Sequence, residues 1–279
     1  MNPAAMRVAR LAGAIGAEIS GIDLRQPLSA EQCAAVRRIW LENGVVFLRD
    51  QPLTPDRFLA FAHTIGTPVE YPFVSGIAGY PTIIEVKKLA HERVNFGGVW
   101  HTDTAYLERP PMATLLLARE VPPQGGDTLF ASQVAAYEAL SDGMKRLLAT
   151  LGCVNSSDKA DTSRTREDRI AEGGRGEQRS YEAVHPAVRV HPETGRRALY
   201  MNAGHTVRFA GMTEAESAPL LAFLFEHQKK EEFTCRFRWQ EGSLALWDNR
   251  CVQHYPINDY HGHRRVMHRI TLEGDVPQG

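Results

Sequence analysis

Long apolar runs are missing from this sequence. No stretch approaches the roughly 18 consecutive apolar residues that a membrane-spanning helix needs, so no membrane span is expected. Met1 to Gly13 carries two arginines but no apolar core and no small-residue cleavage pattern. A secretory leader is therefore not expected. An excess of one charge is also missing: 32 Lys and Arg face 33 Asp and Glu, a formal net charge of -1, with no block of like charges. A nucleic-acid-binding protein would show a basic stripe, and this chain does not. Cysteine is scarce and scattered: Cys33, Cys153, Cys235 and Cys251 show no CxxC spacing. That excludes a disulfide framework and a zinc finger, and points to reduced, buried thiols in the cytoplasm. No repeat and no linker-like shift in composition divides the chain, so one domain over 1–279 is expected.

What is present alternates between helix signals and short strands. Ala14 to Ile19 alternates, and Gly21 to Leu24 reads as the second strand of an opening hairpin. Ser29 with Gln32 forms a capping-box pattern before a helix over about Ala30 to Asn43, stopped at Gly44. Val45 to Leu48 reads as a buried strand, and Thr54 caps a second helix ending at Gly66. Helical patterns follow over Val134 to Leu151, re-capped at Ser141, and from Thr213 to about Lys230. Strand patterns dominate the rest, including Thr82 to Lys87, Ala113 to Ala118, Ala187 to His191, Ala198 to Asn202, Thr234 to Gln240, Ser243 to Trp247 and Val266 to Leu272. Residues 155–182 are polar and aperiodic, the best candidate for a mobile loop, although plain disorder fits equally. The expected class is mainly β with flanking helices, a sandwich or jelly roll.

His101-Thr102-Asp103 puts two ligand-type side chains at i and i+2. In an extended segment both point to one face and can reach one metal. Trp100 and Tyr106 flank them, as a wall around a semi-enclosed site would. A third ligand must come from elsewhere. Two histidines and one carboxylate on one face of iron(II) leave positions open for oxygen and a chelating co-substrate. Alone, the triplet is more often a hydrogen-bonded turn.

The rest of the chain adds context. Trp100 to Asp103, Pro110-Pro111, Gly125-Gly126-Asp127-Thr128, Trp247-Asp248-Asn249-Arg250 with His254, and Arg265 with Arg269 occur in order. This set resembles the taurine dioxygenase and 2,4-D dioxygenase family, from about Gly13 to Asp275. The resemblance implies a double-stranded β-helix, a jelly-roll variant, and a dioxygenase dependent on iron(II), 2-oxoglutarate and O2. It makes His101, Asp103 and His254 the metal ligands. It assigns Arg265 and Thr128 to the distal carboxylate of 2-oxoglutarate, for which a guanidinium fork is a natural partner. Arg269, four residues on and so on the same strand face, matches a substrate-anion arginine, with support of 2-oxoglutarate as its second role.

The implied substrate is a small anionic molecule: a sulfonate, an alkyl sulfate or an aryloxyalkanoate. Tyr71, Gly97, Val99, Tyr106 and His205 are the candidate pocket lining. Gly97 stands where the taurine enzyme carries an asparagine, and Thr67 to Tyr71 lacks that enzyme's histidine, which argues against taurine itself. A glycine there is expected to make room for a bulkier substrate. His185, His191, His261, His263 and His268 read as ordinary polar or strand-face residues. Two rivals remain at this point: a cupin-like protein that binds metal and 2-oxoglutarate without turnover, and a zinc hydrolase. The second leaves Arg265 and Thr128 without a role. Oligomeric state is not written in the residues; the resemblance alone suggests a homo-oligomer.

Overall fold

The helices begin where side chains can satisfy their first amide groups. In the computed structural model, which describes residues 6–95, 97–159 and 180–279, Ser29 and Gln32 form a complete capping box at helix α1 (Ala30–Asn43). Two short strands precede it, β1 (Arg7–Arg10) and β2 (Ala17–Ser20). After it come β3 (Val45–Leu48), α2 (Pro55–Ile65) capped by Thr54, β4 (Pro68–Val69), β5 (Ile84–Lys88), β6 (Ala113–Glu120) and β7 (Thr128–Ser132). The centre holds α3 (Gln133–Glu138), α4 (Asp142–Leu148), β8 (Gly152–Ser156), β9 (Glu182–Pro186), β10 (Val188–Val190), β11 (Arg197–Leu199) and β12 (Thr206–Phe209). The chain continues through α5 (Glu214–Gln228), β13 (Thr234–Phe237), β14 (Leu244–Asp248), β15 (Val252–Pro256) and β16 (Arg265–Leu272).

Strands outnumber helices and fall into several sheets. The largest runs β1-β2-β3-β14-β6-β16-β4, with β5 also paired to β16; only β2 and β3 are parallel. A second sheet runs β13-β7-β15, a third β12-β8-β9, and β10 pairs with β11. The large sheet is buried on both faces, so period two sorts its side chains into two cores. Val46, Leu48, Leu115, Leu117, Leu244, Leu246, Ile270 and Leu272 pack toward α1 and α2, around Trp40 and Phe58. Their neighbours Val45, Phe47, Leu116, Ala118, Ala245, Trp247 and Met267 pack toward the β13-β7-β15 sheet. There Phe47 stacks on Phe237 at 3.9 Å between centroids and meets Phe130 edge-on at 5.4 Å. Each ring so buried contributes about 1.5–3 kcal/mol. Parity along β16 then decides the site: Arg265, Met267 and Arg269 share the face between the two sheets.

Several expectations are corrected. Gly21 to Leu24 forms a bend and turn, and the first strand is Arg7–Arg10, which pairs with Ala17–Ser20. Strands β8, β12 and β15 carry no usable alternation, and non-local pairing makes them. Of the 155–182 segment, Asn155 and Ser156 end β8, Ser157–Lys159 is a 3-10 turn and Glu182 begins β9; the remainder lies almost wholly outside the described residues. Cys153, Cys235 and Cys251 are buried and all four cysteines are free. Among the described residues no helix is long and apolar enough to cross a membrane.

The turn after β14 is fastened from below. Asp248, fully buried, accepts from Arg250 Nε at 2.8 Å and Arg250 Nη2 at 2.7 Å, and from His191 Nε2 at 2.9 Å. Arg250 reaches on to Glu193 at 2.7 Å, which also holds Arg37 of α1 at 2.8 Å. Burial pushes the Asp248 carboxyl up, but Arg250 and His191 outweigh it and hold it well below the usual carboxylate range. Such a group adds stability above its unfolded pKa and loses it only as the pH falls through the lower folded value. Arg250→Met strands the buried carboxylate, so stability at pH 7 should fall by about 3–5 kcal/mol. In that variant only His191 and the backbone amide of residue 250 still oppose burial, so Asp248 titrates higher than in wild type and the deficit should shrink near pH 4.5. Denaturant unfolding at both pH values checks this; an equal deficit at both would refute it.

Candidate active site

His101 and His254 are brought together by backbone, not by their side chains. They form an isolated antiparallel bridge in which His101 N donates to His254 O at 3.1 Å and His254 N to His101 O at 2.9 Å. Directly opposed residues present their side chains on one side, and the ring centroids are 4.2 Å apart. His254 packs on Trp247 at 4.7 Å and Phe130 at 6.2 Å, so the core fixes its plane. Asp103 follows two residues after His101 at the start of a turn, not in a continuing strand. Its successor Thr104 has φ 44, a left-handed conformation that costs a β-branched residue energy. The three ligand-type atoms lie within 4.8 Å of one another, and all three residues are buried.

The electrostatics suit metal binding. Burial and the neighbouring His101 push His254 down to about 3 despite Asp103, so its imidazole is neutral at physiological pH. Burial raises the Asp103 carboxyl, but Arg269, His254 and His101 hold it well below the usual range, so it is ionised. His101 Nδ1–H donates to Val99 O at 2.8 Å, leaving Nε2 as the lone-pair nitrogen, 3.8 Å from Asp103 Oδ1. His254 Nδ1 is buried without a hydrogen-bond partner among the described residues. Two imidazoles, one carboxylate and no thiolate are a donor set for a divalent first-row metal. A second cluster, His191, Asp248 and Cys251, is equally close but already committed: Asp248 holds Arg250, and His191 Nδ1 accepts from the amides of Glu193 and Thr194.

Two buried guanidinium groups stand on one face of β16. Arg265 is buried, with Nε and Nη2 uncommitted among the described residues, and burial lowers its pKa. Its Cζ lies 5.7 Å from the Trp239 ring, and Trp239 Nε1 donates to Thr128 Oγ1 at 2.9 Å. Arg265, Trp239 and Thr128 thus line one recess able to receive a carboxylate. Arg269 Nη1 lies 3.6 Å from Asp103 Oδ1, and its Cζ lies 4.5 Å over the Tyr71 ring. A third buried cation, Lys88, opposes Arg265 across β5 and β16, but Asn258 and Tyr260 hold it and Glu92 offsets its charge.

Rings close the remaining side. Tyr106 meets His205 at 4.9 Å, and His205 meets His101 at 6.0 Å. Phe73 contacts Tyr71 at 5.6 Å, Tyr106 at 5.9 Å and Tyr181 at 5.5 Å. The structure therefore gathers the expected Tyr71, Tyr106 and His205 and adds Phe73, Tyr181, Trp239 and Lys88, which sequence reading missed. Trp239 was visible in an alternating strand, but nothing in the sequence linked Phe73 or Tyr181 to the site. Val99 contributes the carbonyl that orients His101. His261 and His263 are exposed, and His185 and His191 are hydrogen-bonded structural residues, as expected.

Gly97 lies against a ligand-type imidazole. It has φ +70, and a Cβ there would stand 2.7 Å from His101 Cε1. The missing side chain clears the imidazole on its Nε2 side.

Fold and site together set a buried two-histidine, one-carboxylate candidate metal site beside two buried arginines. The sequence matches the profile of the taurine catabolism dioxygenase TauD, TfdA family over residues 7–271, and the chain belongs to that family. It is an alpha-ketoglutarate-dependent dioxygenase. It is 37% identical to an alpha-ketoglutarate-dependent sulfate ester dioxygenase of Pseudomonas putida, over 96% of this chain and 90% of that protein. It is 35% identical to an alkylsulfatase of Acinetobacter baylyi, over 98% of this chain and 87% of that one. The crystal structure of a taurine dioxygenase from Burkholderia xenovorans superposes with a TM-score of 0.82 at 34% identity, covering 98% of this chain and 91% of that one.

Gly97→Ala should cost about 1–2 kcal/mol for the left-handed backbone. By displacing His101 it should also weaken divalent-metal binding by about tenfold or more. Thermal unfolding without metal and a manganese(II) titration separate the two effects. Unchanged metal affinity would contradict the contact.

Proposed function

We propose that the chain holds iron(II) through His101, Asp103 and His254 and 2-oxoglutarate through Arg265 and Thr128. With O2 it oxidises a C–H bond of a small anionic organic substrate seated against Arg269. The observation that carries this reading is the pair of buried guanidiniums on one face of β16, one uncommitted at two nitrogens and one beside a metal-ligand carboxylate. Buried charges require partners. Two guanidiniums against Asp103, with a divalent metal and doubly charged 2-oxoglutarate added, leave one positive charge for the substrate to neutralise. An alkyl sulfate fits first, because relatives described as a sulfate ester dioxygenase and an alkylsulfatase match almost the whole chain. Sulfonates and aryloxyalkanoates share the same charge.

Bound metal, 2-oxoglutarate and O2 supply the oxidising chemistry, with release of succinate and CO2. The chain's own groups bind and orient. Val99 fixes the His101 tautomer, Arg265 with Thr128 aligns the co-substrate, and Arg269 anchors the anionic head. Tyr71, Tyr106, His205 and Val99, joined by Phe73 and Tyr181, line the organic part and exclude water. Oxidation at the carbon bearing the sulfate oxygen yields an unstable hemiacetal ester that collapses to aldehyde and sulfate. We read the two facing sheets as a double-stranded β-helix and residues 1–279 as one domain. This is supported by the large sheet, which draws strands from both ends of the described chain.

Anaerobic protein with iron(II) and 2-oxoglutarate should develop a weak visible charge-transfer band, lost or weakened in His101→Ala and Arg265→Ala. Succinate release should be stimulated by alkyl sulfates, and Arg269→Met should raise their KM by about 10²–10³-fold. No band, together with zinc-supported turnover in the absence of O2, would sink the reading in favour of hydrolysis.

A further inference from the structure

The indole of Trp247 carries one N–H and no acceptor, so it can only donate. It donates to Asn249 Oδ1 at 3.0 Å, which fixes the amide with its oxygen toward Trp247 and its NH2 group away. That NH2 group donates to Thr114 Oγ1 at 2.8 Å. The Thr114 hydroxyl, already accepting, directs its own proton to Asp103 Oδ2, 2.6 Å away. The polarity of every link follows from the first. Exposure is 1% at Trp247, 0% at Asn249, 0% at Thr114 and 3% at Asp103, so water offers these groups no competing partner. Strand pairing builds the chain: Trp247 lies opposite Thr114 on β14 and β6, and Asn249 N is tied to Met112 O at 2.9 Å.

We propose that Trp247, Asn249 and Thr114 form a directional relay that occupies Asp103 Oδ2 and leaves Oδ1 alone to bind the metal. They are positioning residues for a one-oxygen ligand. The inference rests on the metal assignment proposed above. Oδ1 is the oxygen turned into the site, facing His101 Nε2 at 3.8 Å and Arg269 Nη1 at 3.6 Å. A carboxylate freed from Thr114 can turn, or offer both oxygens, and so fill a coordination position that the co-substrate or O2 requires. Sequence reading weighed Trp247 and Asn249 only as part of a motif and did not weigh Thr114 at all.

The test is a manganese(II) titration of wild type, Thr114→Val, Thr114→Ser and Trp247→Phe, read by electron paramagnetic resonance of the free ion. Thermal unfolding without metal runs beside it. Thr114→Val keeps the shape and removes the donor; it should bind manganese(II) about 10–100-fold more weakly. Trp247→Phe should show a smaller loss, and Thr114→Ser should restore nearly wild-type affinity. The charge-transfer band of the iron(II) and 2-oxoglutarate complex should shift in Thr114→Val and not in Thr114→Ser. Wild-type affinity and band in Thr114→Val, or a serine variant as impaired as the valine one, overturns the relay while leaving the metal assignment intact. If Thr114→Val does not fold, Trp247→Phe decides: unchanged affinity and band overturn the relay. Failure of wild type to bind manganese(II) overturns both readings.

Discussion

Two backbone hydrogen bonds between His101 and His254 join a loop ahead of β6 to a strand near the other end of the fold. Everything in the site is arranged around that join. It sets the imidazoles side by side, and the turn that follows brings Asp103 back toward them. The join in turn needs β15 held rigidly, which β7 does along its whole length. It also needs the turn between β14 and β15 to stay folded, which the buried Asp248 and Arg250 pair secures from the opposite face. One turn therefore serves two interiors. Even-numbered Asp248 looks toward the helices, and odd-numbered Trp247 and Asn249 look toward the site.

That division follows from period-two geometry in a sheet covered on both sides. On β16 the same rule puts Arg265 and Arg269 on one buried face. It also puts Ile270 and Leu272 into the apolar core behind them. Placing two guanidiniums between packed sheets is expensive without counter-ions. In this protein the charge is matched partly by Asp103 and, on the reading developed above, by the anions the enzyme works on. Binding energy and fold stability are then linked: the ligand completes a charge balance that the chain alone leaves open.

Much of this was legible beforehand, for local reasons. Caps at Ser29, Thr54, Ser141 and Thr213 mark helix starts because they act on amides within one turn. His101, Asp103, His254, Arg265 and Arg269 were singled out because an ordered set of motifs resembles one family, while strand parity put His101 with Asp103 and Arg265 with Arg269 on shared faces. What escaped depends on partners distant in sequence. β12 and β15 exist because β8 and β7 pair with them, and Phe73 meets Tyr181 only after folding. The contact of Gly97 with His101 escaped for a related reason. A sequence gives the absence of a side chain but not the direction in which it would have pointed.

The join between His101 and His254 also bears on how the protein is made. During translation the residues around His101 leave the ribosome long before His254, Arg265 and Arg269 do. Through most of synthesis the chain holds one imidazole and one carboxylate, a poor chelator, and neither guanidinium. On the assignment proposed above, the three-ligand set exists only once β15 has been made and docked, and the two arginines join it only with β16. On that assignment, metal binding and the oxidation it supports are withheld from the nascent and half-folded chain, whose exposed side chains would be the nearest targets.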